Sequence, residues 1–122
     1  MNILKTFSSD RLAELIQRFP KIRIAVLGDF FLDKYLEVDP RLAEISLETG
    51  KIAHQVVRVR SSPGAAGTIV SNLAALGAGA LHAIGLTGDD GEGYELRQGL
   101  SDLRCSTDRL IYAPDRKTPT YL

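Results

Sequence analysis

Two short apolar runs with helical patterns between and after them restrict this chain more than any other feature. Residues 22–27 (IRIAVL) end at Gly28, and residues 80–86 (ALHAIGL) lead into the glycine-rich turn GDDGEG (88–93). Short, β-branched apolar runs bounded by glycine read as strands buried on both faces, as in a parallel sheet flanked by helices. Strands alternating with helices imply an α/β domain with right-handed crossovers.

The helical patterns have local punctuation. Ser8-Ser9-Asp10 precedes Leu12, Leu15, Ile16 and Phe19 at the spacing of one helix face, and Pro20 forbids continuation. Residues 68–76 (TIVSNLAAL) read as a helix closed by Gly77 in a left-handed position. A third helix is expected over 94–103, with Gly88 in a tight turn and Asp89 or Asp90 as cap. A further strand begins at 110–112, and Pro114-Asp115 turns the chain before 117–122.

One stretch breaks this rhythm. Residues 33–38 form a short strand ended by Asp39-Pro40, residues 41–50 lack periodicity, and 52–60 (IAHQVVRVR) alternate Val57 and Val59 with Arg58 and Arg60. Alternation fits a strand with one wet face, so the pair is expected as a projecting antiparallel flap. Residues 61–67 (SSPGAAG) read as small-residue punctuation after it.

Composition excludes several functions. Fifteen basic and fifteen acidic residues leave no net charge, and the arginines are scattered, so nothing favours nucleic acid or an acidic membrane surface. No run approaches the roughly 18 to 20 apolar residues that span a bilayer. The N-terminus lacks the apolar core and cleavage site of a secretory signal. The lone Cys105 makes no internal disulfide and reads as a half-buried small apolar residue, which fits a cytoplasmic protein. His54 and His82 lack partners at metal-ligand spacing, Glu44 and Glu48 read as a solvated face, and no serine sits in GxSxG.

Three motifs carry chemistry. Gly28-Asp29-Phe30-Phe31-Leu32-Asp33 follows the first strand, where open α/β sheets place their ligands. A carboxylate there accepts two hydroxyl hydrogen bonds, although Asp33 can equally cap a turn. Pro63-Gly64-Ala65-Ala66-Gly67-Thr68 precedes a helix, and its small side chains let backbone N–H groups approach a ligand. It lacks the lysine of the GxxxxGK[ST] phosphate loop. The glycines of GLTGDDGEG (85–93) have neither the spacing nor the place of the dinucleotide motif GxGxxG, which disfavours a nicotinamide-dependent oxidoreductase.

In this order, GDFFLD (28–33), two flap strands, PGAAG (63–67), NLAALG (72–77) and GLTGDDGEG (85–93) resemble the ribokinase-like (phosphofructokinase B-type) carbohydrate kinases over 22–122. Within that family the likeness runs toward the kinase part of bacterial heptose-7-phosphate kinase/adenylyltransferases, through GDxxLDxY at 28–35 and ISxE at 45–48. The resemblance implies a three-layer α/β/α fold with a small β lid, strands 34–38 and 52–60, over a sugar site. It implies ATP and Mg²⁺ as cofactors and a sugar or sugar phosphate as partner. Asp33 would bind substrate hydroxyls, while Gly64 and Ala65 let the backbone close on the sugar. Thr68 stands where the family has asparagine, and Ala65 where it has a second glycine. The other reading these two changes leave open is a non-catalytic sugar-binding or regulatory protein that kept the fold.

The family's catalytic base lies on a G-A-G-D segment that these residues do not contain. Residues 1–122 are therefore expected to be the N-terminal, sugar-binding part of one kinase domain, without its nucleotide-binding part and inactive alone. Lid-mediated dimers are common in the family, so a homodimer through the lid is expected.

Overall fold

The computed structural model describes residues 8–122. The Ser8 hydroxyl accepts the Arg11 amide N–H at 3.1 Å and opens α1 (Ser9–Arg18), and Pro20 stops it in a 3₁₀ turn. This helix buries no residue; its Glu14 pairs with Arg11 and Arg18 in solvent.

The core sheet contains β1 (Arg23–Leu27), β6 (Ala80–Gly88) and β7 (Cys105–Ala113), all parallel and in the order β1-β6-β7. Pairing of Ile24 with Leu81 and Val26 with Ala83 puts these four on one face. There they meet Val70 of α2 (Ala66–Ala75) and Leu96 and Leu100 of α3 (Gly91–Asp102), which are fully buried. The opposite face carries Leu27, Leu86 and Ile111, and Leu27 is 79% exposed. The expectation of strands buried on both faces thus fails for one face. Both sheet-packed helices stack on the same side, while α1 packs mainly on the turn after it.

The parallel α/β class holds, and so does the flap. Antiparallel β2 (Phe30–Val38) and β5 (Val56–Ala65) run in register from Phe30–Ala65 to Leu36–Val59, with an irregularity between Glu37 and Val38. Beyond them β3 (Glu44–Ile45), inside the stretch 41–50 expected to be irregular, pairs in a small hairpin with β4 (Ile52–Ala53), which is split off from the expected strand 52–60. On its other edge β2 pairs in parallel with β8 (Thr120–Tyr121).

The flap is longer at its base than the sequence suggested. Residues 61–65, read as punctuation, continue β5 because residues 30–34 offer them a full ladder. Pro63 is also wedged against the helices: a Cβ on Gly99 of α3 would sit 2.9 Å from the Pro63 ring, and one on Gly67 of α2 would also strike it. Lys34 adds a charged tie to α3, with Nζ 2.9 Å from Glu95 and 3.7 Å from Glu92.

Period-two alternation gives β2 two unlike faces. Phe30 and Leu32 point into the core and are completely buried. Further out on that side Leu36, Val38, Val56 and Val59 are between 42 and 53% exposed. The other face carries Phe31, Asp33, Tyr35 and Glu37 opposite Gly64, Ser62, Arg60 and Arg58. Arg60 bonds Glu37 at 2.5 Å and lies 5.3 Å from the Tyr35 ring centre.

Helix α2 starts at Ala66, two residues earlier than expected, and ends before Gly77 at φ 82°, as the sequence indicated. Helix α3 starts at Gly91, three residues early. Asp90 is its cap, and Gly88 belongs to β6 instead of a turn. Arg97, on α3, is buried: its guanidinium donates to Thr87 Oγ1 and to the carbonyls of Leu110 and Thr107, 3.7 Å from the Tyr112 ring centre.

Candidate functional site

The chain leaves β1 at Gly28, and Asp29 uses its carbonyl to accept the Ala66 amide N–H at 3.0 Å. That bond brings the start of β2 against the start of α2. No side chain caps α2, and its cap position is Ala65, at φ 49°, in the left-handed region that alanine rarely enters. The helix start therefore keeps its positive dipole end and amide donors for something other than a cap.

Asp33 is half-buried, and its carboxylate accepts no hydrogen bond from any described residue. It lies over Gly64: a Cβ there would stand 2.7 Å from Asp33 Oδ2 and would strike the Phe31 ring. Glycine is required at this close approach, not for its torsion angles. Thr68 is exposed in the first turn of α2. The four residues expected at the site thus gather where β2, β5 and α2 meet. Together they offer a carboxylate with open acceptor positions, helix-start amides and a hydroxyl, which suits a polyhydroxylated ligand. Gly64→Ala should push the Asp33 carboxylate aside. We expect ligand affinity to fall about tenfold and the displaced Phe31 ring to lower stability by about 1–3 kcal/mol, measured by calorimetry and thermal melts.

A second feature was not visible in the sequence. At the carboxyl ends of β1 and β6 lies a cleft of about 420 Å³, lined among others by Asp29, Thr87, Gly88, Arg116 and Lys117. None of Asp33, Gly64, Ala65 or Thr68 lines it. The segment 116–119 forms one wall because Thr118 is tied down. Its amide and hydroxyl donate to the Asp90 carboxylate at 2.8 and 2.6 Å, and its Oγ1 accepts the Gly88 N–H at 2.9 Å. The Thr118 hydroxyl and amide hold the Asp90 carboxyl below its ordinary pKa, helped by the Gly93 N–H and the Lys117 charge. Sequence showed Asp90 only as one of two helix caps. The threonine that shares it lies 28 positions away.

Other candidates stay structural. Burial pushes the Cys105 thiol pKa up, the opposite of an activated nucleophile. Among the described residues no group of three or more His, Cys, Asp or Glu could hold a metal ion.

No protein-family model matches the chain. Over 107 residues it is 33% identical to the Bifunctional protein HldE of Psychromonas ingrahamii, an alignment covering 88% of this chain and 22% of that protein. The chain thus spans about a fifth of the length of the curated relatives it matches. A putative ribokinase from Agrobacterium tumefaciens superposes with a TM-score of 0.56 at 19% identity, over 80% of this chain and 30% of that one. Fructokinase with bound ATP from Xylella fastidiosa gives 0.55 at 21% identity, over 80% and 28%. Identities this low speak to the fold alone. The chain therefore has the ribokinase-like α/β fold and is a homologue of the bifunctional HldE proteins.

Proposed function

We propose that this chain carries the sugar-binding part of an ATP-dependent carbohydrate kinase acting on a sugar or sugar phosphate. The observation that supports this reading best is the Asp33 carboxylate, half-buried and unpartnered, held over Gly64 beside the uncapped start of α2. Such a carboxylate orients a hydroxyl, and orientation is most of what phosphoryl transfer asks of a protein. The flap would exclude water from the reacting group. ATP and Mg²⁺ belong to the reading as cofactors. The described residues offer neither a lysine-bearing phosphate loop nor a carboxylate cluster for Mg²⁺, so no step is assigned through them. Among the described residues no helix is long and apolar enough to cross a membrane. The proposed location is the cytoplasm.

The test is ADP release by the full-length protein over a panel of sugars and sugar phosphates. Turnover with at least one of them, and none without sugar, supports the kinase. Thermal stabilisation by a sugar without any turnover would instead favour the sugar-binding reading, and the absence of both overturns the two together.

The apolar flap face offers a second measurement. Leu36, Val38, Val56 and Val59 expose a contiguous hydrophobic surface that burial against a second copy would stabilise by about 25 cal/mol per Å². The proposed assembly is a homodimer through the flap. Sedimentation of the full-length protein is expected to show a dimer that Val59→Asp converts to monomer. A monomeric wild type removes this part of the proposal.

A further inference from the structure

We infer that Lys34 is a positioning residue: held by Glu92 and Glu95 of α3, it fixes the base of β2 and thereby the place of the Asp33 carboxylate beside the start of α2. The tie from Lys34 to the helix stands on geometry alone; its effect on a ligand rests on the sugar-kinase reading.

Alternation along β2 puts the two neighbours on opposite faces. Asp33 stands over Gly64, whereas Lys34 follows Phe30 and Leu32 on the face turned to the core. The Lys34 side chain is 17% exposed, with Nζ 2.9 Å from Glu95 and 3.7 Å from Glu92. These two glutamates are three positions apart on α3, the spacing that brings side chains together on one helix face. Neither pairs with any other described residue. An ammonium has three N–H donors, so Lys34 can serve both carboxylates at once.

Helix α3 gives this tie a firm seat. Asp90 caps its start and is shared with Thr118, and Leu96 and Leu100 are fully buried. Across the ladder from Lys34 lies Ser61, and two residues further on Pro63 meets Gly99 of the same helix. Both strands of the flap thus touch α3 at one level, β5 through an apolar ring and β2 through a charge. Beyond that level the fastening stops among the described residues. Leu36 and Val38, the next side chains on the core-facing side, are 47 and 42% exposed. Lys34 is the outermost anchor of β2.

Asp33 has no such hold of its own. Its carboxylate bonds no described residue, so its direction follows the strand beneath it. On its far edge that strand meets β8 at only two positions, Leu32–Thr120 and Asp33–Tyr121. Magnitudes then separate position from stability. An ion pair this open to water adds little to stability. Displacing an orienting group by about 1 Å can cost about a hundredfold in rate. Lys34 therefore matters more for where Asp33 stands than for whether the chain folds.

Hydrogen exchange on the full-length protein tests the tie. Peptides covering residues 30–38 are expected to exchange about threefold faster in Lys34→Met than in wild type. Glu92→Gln/Glu95→Gln, which leaves β2 untouched, should do the same, while residues 96–102 of α3 are unchanged. Lys34→Arg, which keeps the charge and the donors, should behave as wild type. Thermal melts establish that all variants are folded. Equal exchange in wild type, Lys34→Met and the glutamine variant overturns the proposal.

The action on Asp33 is read from kcat/KM for ADP release, with fructose, fructose 6-phosphate and heptose 7-phosphate as probes. Lys34→Met is expected to lose about tenfold on whichever probe is turned over, and Lys34→Arg to recover most of it. In the Asp33→Ala background Lys34→Met should cost nothing further, because the group it positions is gone. The same loss in that background, or no loss in the parent, shows that Lys34 does not act through Asp33 and overturns this half. If wild type turns over none of the three probes, the kinase reading fails and the Asp33 half falls with it. Exchange alone then decides the tie between Lys34 and α3.

Discussion

Asp90→Ala is expected to lower the melting temperature by about 10 °C. The carboxylate receives three donors at once: the amide of Gly93, 2.8 Å away at the start of α3, and the amide and hydroxyl of Thr118. A helix cap contributes about 1 kcal/mol, and each hydrogen bond to a charged group about 1.5–3 kcal/mol. These contributions overlap, so a net loss of about 3 kcal/mol is reasonable. At this chain length that corresponds to about 10 °C. Thermal melts of wild type, Asp90→Ala, Thr118→Val and the double variant give the coupling directly. Near-additive losses would show that the two residues act independently and would refute the clamp.

The effect also has a pH signature. The folded-state pKa of Asp90 is lowered, so its stabilisation is fully present above the unfolded-state value, about 3.9. It disappears as pH falls through the folded value. The stability gap between wild type and Asp90→Ala should therefore hold near neutrality and shrink below about pH 4. A gap that stays constant into strong acid would show that the carboxylate charge is not its source.

The second large effect is on binding. On the proposed sugar-binding role, Asp33→Ala is expected to weaken sugar affinity about a hundredfold, as two hydroxyl bonds to a charged acceptor at roughly 1.5 kcal/mol each would be lost. Stability should hardly move, since the Asp33 carboxylate bonds no described residue. The contrast with Asp90 is the informative part: two half-buried aspartates, one saturated by the protein's own donors and one left open. Calorimetry with the sugar found active in the ADP assay, together with a melt, checks both halves. Unchanged sugar affinity would remove Asp33 from the site.

What the sequence revealed was mostly short-range. A cap within Ser8-Ser9-Asp10, the Pro20 stop and the left-handed Gly77 are each decided within one turn of chain, and each is found where the residues indicated, Ser8 being the cap used. The grouping of Asp33 with Gly64 was legible only through the family resemblance, because an antiparallel register joins them. What stayed hidden depends on pairing between distant residues. Residues 61–65 look like a loop until residues 30–34 supply a partner strand. Arg116 and Lys117 merely follow the Pro114-Asp115 turn in the sequence until Thr118 is clamped by Asp90 and β8 docks on β2. The strand at 22–27 looked buried on both faces because apolar content says how much a strand hides, not which layer covers it. Arg97 gave no signal at all: its burial rests on a hydroxyl and two carbonyls, not on a carboxylate that spacing might have shown.

The parallel contact of β8 with β2 has a consequence for the order in which the chain folds. β2 and β5 are antiparallel neighbours and can zip together as soon as residue 65 has been made. The contacts Leu32–Thr120 and Arg23–Ala80 close far larger loops, whose entropic cost must be met before their bonds form. The flap is thus expected to form earlier than the core sheet and than the docking of β8 on β2. Because β8 follows directly on segment 116–119, the basic wall of the cleft is expected to take its place only once the flap strand it leans on has formed.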